Sequence, residues 1–342
     1  MAVLLRQIVT TLGLTIMKFT TIEGHDKSIR ILQRAIANKT LAHAYLFSGQ
    51  AGIGKKKAAF ALAAAVNCLD ARPEGGCGEC PSCRKVDTLG HPDVRVLVPD
   101  GDEIKIDQIR QVQADLSLKP FEGAKKVLIV DNAESMNAAS SNAFLKTLEE
   151  PPGDALIILI TAMPQSLLST IRSRCQEIMF HPLPRNVLAR ALMHKRELSE
   201  EDAWFIAALA QGSMGRGLEM DLEQEKAARE EVATLWSGLA QMGPGESLAL
   251  AETLSKDRER LERLIEIGVE WLRDALVYRE TGEERLLVHA QAQQQYRQLA
   301  GRYSLQRLLA DMELFMMSRN LLDRRVSAQL VAENLLLKCG RE

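Results

Sequence analysis

Residues 46–61 read LFSGQAGIGKKKAAFA. Gly49, Gly54 and Lys55 meet the pattern G-x-x-x-x-G-K-[ST], in which backbone N–H groups cradle phosphates and the lysine reaches the outer ones. The next position should carry a hydroxyl for Mg²⁺, and here it is Lys56. An ammonium offers only donors and has the metal's own sign of charge. Two like charges a few ångströms apart in a partly buried site cost on the order of several kcal/mol. The chemistry this loop suggests is phosphate recognition from which a metal-bound nucleotide is largely excluded. A second segment, KVLIVDNAES (126–135), ends its apolar run at Asp131, as a Walker B strand does. The residue after that aspartate is the place for a glutamate that polarises attacking water, but the chain has Asn132, and an amide cannot serve as a base. Glu134 is a carboxylate two residues too late for the same role.

The other constellation is NCLDARPEGGCGECPSC (67–83), where Cys68, Cys77, Cys80 and Cys83 follow C-x8-C-x2-C-x2-C. Four thiolates can surround Zn²⁺ tetrahedrally, and Gly75, Gly76 and Gly78 permit the tight bends this needs. The alternatives are a disulfide framework, which an intracellular chain of this size disfavours, and an iron–sulfur cluster. With all four ligands from the protein, no coordination position is left for water or substrate, so the zinc expected here is structural. Cys175 and Cys339 read as packed thiols.

These residues need elements to hold them. The chain has 342 residues, enough for two or three domains. Charged residues make up 26% and formal net charge is -2, which argues against a free-standing nucleic-acid binder with a basic face. No apolar run approaches the ~20 residues of a membrane span, so no membrane association is expected and the cytoplasm is the expected location. From Ile22 to Pro184 helical periodicity takes turns with short β-rich runs: AYLFSG, DVRVLVP, KVLIVD and ALIILIT as strands, with helices between them. Such alternation implies a parallel sheet covered on both faces. After HPLPR (181–185) everything reads as helix. The expected organisation is an α/β domain over 17–184 with a zinc module at about 68–83, a small helical domain over 185–221 and an all-α domain over 222–342. Residues 1–16 read as an extension or misassigned start ahead of Met17, with a genuine helix or a targeting segment as alternatives.

Together, the HAYLFSG strand, the degenerate phosphate loop, the four-cysteine insert, NAFLKTLEEPP (142–152) and TIRSRCQ (170–176) resemble the AAA+ clamp-loader subunits of bacterial DNA polymerase III. Lys56 and Asn132 set the chain with the non-hydrolysing, delta prime type of subunit. A third departure agrees: motor subunits of the tau/gamma type look like G-S-x-R after the helix FIAALAQGS, whereas GSMGR here puts Gly215 in that place and Arg216 about 100° further round a helix. The resemblance implies an AAA+ fold with a helical collar. It implies a hetero-pentamer with motor (tau/gamma) and delta subunits that loads the sliding clamp onto primed DNA, within a DNA-directed DNA polymerase holoenzyme. It also implies that Arg174, in the S-R-C motif, reaches as a finger into the ATP site of a neighbouring subunit, while nucleotide binding at Gly49, Gly54 and Lys55 is weak at most.

Other readings stay open at this level. Arg172 and Arg174 are alternatively two solvated arginines; Lys146, Glu149 and Glu150 read as structural or interfacial charges; Thr161 matches a sensor position or a cap. A subunit that hydrolyses ATP itself, and a zinc-bearing interaction module without a role in replication, are the competing functions.

Overall fold

The computed structural model describes residues 18–72, 74–239, 242–283, 286–288, 301 and 303–340. The extension at residues 1–16 lies outside them. The chain forms two compact units: the described residues up to Glu197 with Ala210–Leu218, and Leu198–Leu209 with the described residues from Glu219 onward.

The first unit is built on five parallel strands, β1 (Ala44–Ser48), β2 (Val94–Leu97), β3 (Val127–Val130), β4 (Leu156–Thr161) and β5 (Gln176–Met179), in the order β2-β3-β4-β1-β5. The three central strands are buried along their whole length, which is why their sequences lack alternation. Alternate residues nevertheless serve two cores. Tyr45, Phe47, Ile129, Ile158 and Ile160 pack on one side with the alanines of the helix after β1, and Leu46, Leu128, Val130, Ile157 and Leu159 pack on the other with Ile109, Phe144 and Leu148. β5 is absent from the sequence reading; it is a four-residue edge strand with only Ile178 buried, so it carries little apolar signal.

Helices α1 (Asp26–Ala37), α2 (Lys55–Val66), α3 (Pro81–Asp87), α4 (Ile106–Leu116), α5 (Ala138–Glu149), α6 (Ser169–Arg172) and α7 (Arg185–Arg196) complete this unit's regular helical elements, with α9 (Met214–Glu219) at its end. The parallel strands place the phosphate loop and Asp131 at their C-terminal ends, where ligands of open α/β sheets collect.

The second unit is helical among its described residues: α8 (Glu200–Leu209), α10 (Leu222–Leu239), α11 (Pro244–Ser255), α12 (Arg258–Thr281), α13 (Leu305–Asp323) and α14 (Ala328–Lys338). Its core joins Ile265, Trp271 and Leu272 of α12 to Leu308 and Phe315 of α13 and Leu335 of α14. A Cβ at Gly268 would stand 2.2 Å from the Phe315 ring, so α12 and α13 cross as closely as they do only because position 268 has no side chain.

Candidate functional site

The chain leaves β1 at Ser48, passes through the glycine loop and enters α2 at Lys55. Gly54, the N-cap, has φ +107, a conformation open to glycine at little cost. Gly49, Gly54 and Lys55 are thus brought together as a phosphate loop requires. The lysine is employed differently, however. Its Nζ donates to the Gly49 carbonyl and, at 2.7 Å, to that of Gln50, so the ammonium is bound by the loop itself. Burial lowers the Lys55 pKa to about 8, although Glu134 and Asp131 pull the other way. His25 supports the same loop: its Nε2–H donates to the Ile53 carbonyl at 2.7 Å, and its ring meets Phe180 edge-on at 5.0 Å. Burial, ahead of the opposing hydrogen bond, moves the His25 pKa down. No motif marks this residue in the sequence.

Lys56 has a partner that its sequence position alone does not announce. Its Nζ lies 2.8 Å from Asp131 Oδ2, with the two side chains 25% and 17% exposed. The carboxylate that would face a hydrated Mg²⁺ therefore faces a fixed internal cation. Asn132 is exposed, in a left-handed conformation (φ 52). Glu134 is committed to structure through Oε1, which accepts from Ala162 N at 3.0 Å; its Oε2 is buried without a hydrogen-bond partner among the described residues. Thr161, the last residue of β4, is buried, and its Oγ1 accepts from Met163 N at 3.0 Å in a local turn.

The loop is also closed by the segment GSMGR. Ser213 Oγ donates to the Ala51 carbonyl at 3.0 Å, and Gly215 N donates to that of Gly52 at 2.8 Å. A Cβ on Gly52 (φ +74) would lie 2.3 Å from Ser213 Oγ, and one on Gly215 would lie 3.0 Å from Gly52 Cα. Gly215 is where the motor-type pattern has its arginine; here backbone-to-backbone contact occupies that space.

The four cysteines converge as their spacing predicts. The sulfurs of Cys68, Cys77, Cys80 and Cys83 all lie within 4.8 Å of one another, and Cys68 and Cys80 are 3.9 Å apart. Tetrahedral Zn–S bonds of about 2.3 Å put sulfurs about 3.8 Å apart, so the donor set can hold such an ion, whereas a disulfide needs sulfurs at about 2.05 Å. Amide groups point at the sulfurs: Cys77 N at Cys68 Sγ (3.2 Å), Cys80 N at Cys77 Sγ (3.3 Å) and Cys83 N at Cys80 Sγ (3.4 Å). Burial opposes ionisation of Cys80, but the amides of Cys83 and Leu69 and the neighbouring thiols outweigh it and bring its pKa down to about 6. Cys175 is buried enough to push its thiol up to about 12, as a packed side chain should be.

Arg174 lies just beyond α6, remote in sequence from both clusters. Its Nη2 is 2.7 Å from Glu149 Oε1 and its Nη1 donates to the Thr170 carbonyl at 2.9 Å. Arg172 is exposed and donates its backbone N–H, not its guanidinium, to the turn before it.

A parallel sheet in this order, with a phosphate loop after its first strand and an acidic strand end on the third, defines an AAA+-type α/β protein, here with its nucleotide loop filled from within. The family described as DNA polymerase III, delta subunit, matches residues 24–184, and its C-terminal counterpart matches residues 224–340. The DNA polymerase III subunit delta′ of Bacillus subtilis is 31% identical over 322 residues, covering 92% of this chain and 96% of the relative. That of Pseudomonas aeruginosa is 34% identical over 71% of this chain and 74% of its own length. The tau subunit of Bacillus subtilis is 28% identical, and the aligned region covers 83% of this chain and 54% of tau. The chain belongs to the delta-prime subunit family of DNA polymerase III. No helix among the described residues is long and apolar enough to cross a membrane.

Proposed function

We propose that this chain is the non-hydrolysing stator of a bacterial clamp loader. It joins tau/gamma motor subunits and a delta subunit in a hetero-pentamer that places the sliding clamp on primed DNA. The observation that carries this reading is the Lys56–Asp131 pair at 2.8 Å, which puts an internal cation where an ATPase holds its metal. Lys55, bound to its own loop, and Gly215, packed on Gly52, support it from two further directions. In this reading residues 17–184 and 185–221 form the AAA+ body and its small helical domain, and 222–342 form the collar. Cys68, Cys77, Cys80 and Cys83 hold one structural zinc, whose role when bound is to order the insert between α2 and α3.

Arg174 is the finger: a planar, permanently charged fork suited to the charge that develops on a transferring γ-phosphoryl group. ATP is then bound and hydrolysed at the neighbouring subunit. Fingers of this kind are worth ~10³ to 10⁵ in rate. One motor site borders this chain, so in the reconstituted complex Arg174→Ala should lower total ATP turnover partially while assembly and metal content stay unchanged. Arg174→Lys should rescue little, and Arg172→Ala is the nearby control. Turnover and clamp loading at the unmodified rate with Arg174→Ala would remove the finger assignment.

A further inference from the structure

Arg174 does not project freely. One guanidinium nitrogen is held by Glu149 at 2.7 Å and another by the Thr170 carbonyl at 2.9 Å, so the fork lies folded against its own chain, with the side chain 35% exposed. Glu149 is the last residue of α5 and its side chain is 50% exposed. A carboxylate there meets the negative end of the helix dipole, an unfavourable placement that the arginine offsets. Nothing else in the helix requires an acid at this position: its buried side is formed by Ser140, Ser141, Phe144, Thr147 and Leu148.

We infer that Glu149 is a restraining residue for the finger. It is the resting counter-ion of Arg174, displaced when a γ-phosphate in the neighbouring site competes for the same fork. The inference rests on the finger reading above. A carboxylate and a phosphate both accept two parallel N–H bonds from a guanidinium, so Arg174 can engage one or the other with that face. The exchange is one of like partners. Because the pair is on the surface, its strength is that of an exposed ion pair, which converts to no more than about a fivefold shift in the population of released arginine. Such a restraint is weak enough for bound ATP to overcome, yet sufficient to lower turnover by the resting assembly.

The test is a reconstituted complex with motor and delta subunits carrying Glu149→Gln, Arg174→Ala or both. ATP turnover is measured without clamp and DNA, then with them. Glutamine keeps the size and a hydrogen-bonding oxygen but removes the charge. The expected result is a rise in resting turnover, at most about fivefold at the adjoining site, a smaller change in the stimulated rate, and an unchanged thermal midpoint. In the Arg174→Ala background the Glu149 change should have no effect, which a merely structural role would not produce. If Glu149→Gln leaves resting turnover unchanged or lowers it while Arg174→Ala still slows the complex, the restraint is refuted and the finger stands. If Arg174→Ala is without effect, both fall.

Discussion

Replacing Lys56 by threonine restores the hydroxyl of a complete phosphate loop and removes the cation on Asp131. At 2.8 Å the attraction between the two charges is about 6 kcal/mol at an effective dielectric constant of about 20. Most of this is offset by desolvation and side-chain ordering, so a partly exposed pair contributes about 1 kcal/mol net. Lys56→Thr should therefore lower the stability of the nucleotide-free first unit by about 1 kcal/mol, or roughly 2 to 4 °C in Tm for a compact unit of that size. In return, Asp131 becomes available to a hydrated metal. A ligand at 100 times its Kd stabilises the fold by about 2.7 kcal/mol, more than the loss. The assay is thermal unfolding with ATP and Mg²⁺, with ATP and EDTA, and without nucleotide. The variant should gain a magnesium-dependent rise in Tm that the parent lacks, and neither should hydrolyse ATP, because Asn132 is still an amide. The same magnesium-dependent rise in the parent chain would refute the argument, as would a variant that neither loses stability alone nor responds to Mg-ATP.

Cys80→Ser should release the metal and loosen the insert while leaving the parallel sheet folded, since structural zinc in small peptides binds with ~10 to 16 kcal/mol; metal analysis and circular dichroism check this, and a parent chain containing iron or no metal would contradict it. Gly215→Arg recreates the motor-type G-S-x-R pattern, but its Cβ would sit 3.0 Å from Gly52 Cα, so it should destabilise by about 1 to 3 kcal/mol as overpacking does; an unchanged denaturation midpoint would be the contrary result. Lys55 has a folded pKa of about 8 against an ordinary value of 10.5, so between those pH values the unfolded chain binds more protons and stability should rise with pH. The corresponding cost of keeping Lys55 charged at neutral pH is about 3 kcal/mol. Lys55→Met should flatten the rise between pH 8 and 10.5, and an unchanged pH profile would count against the burial argument.

Local patterns in the sequence were enough for the elements whose signal lies within a few neighbouring residues. Unbroken apolar runs marked β1, β3 and β4 because a strand buried on both faces has no polar side to show. The cysteine spacing marked its cluster because two tight C-x2-C steps leave a thiol little choice of direction. Lys56 and Asn132 stood out as departures from the ATPase pattern because that chemistry depends on residue type at fixed positions. β5 escaped because an edge strand with one buried residue has almost no hydrophobic signature.

How the loop is held was decided by contacts between segments far apart in the chain. Lys56 meets Asp131 across 75 residues, His25 meets Ile53, and Ser213 and Gly215 reach Ala51 and Gly52 across more than 160. Glu149, which sequence reading left among structural or interfacial charges, gained a specific partner only when the order of the sheet brought the end of α5 beside the turn after α6. A sequence fixes which charges exist; the pairing of those charges depends on a geometry set by the burial of apolar residues elsewhere, and no local pattern encodes it.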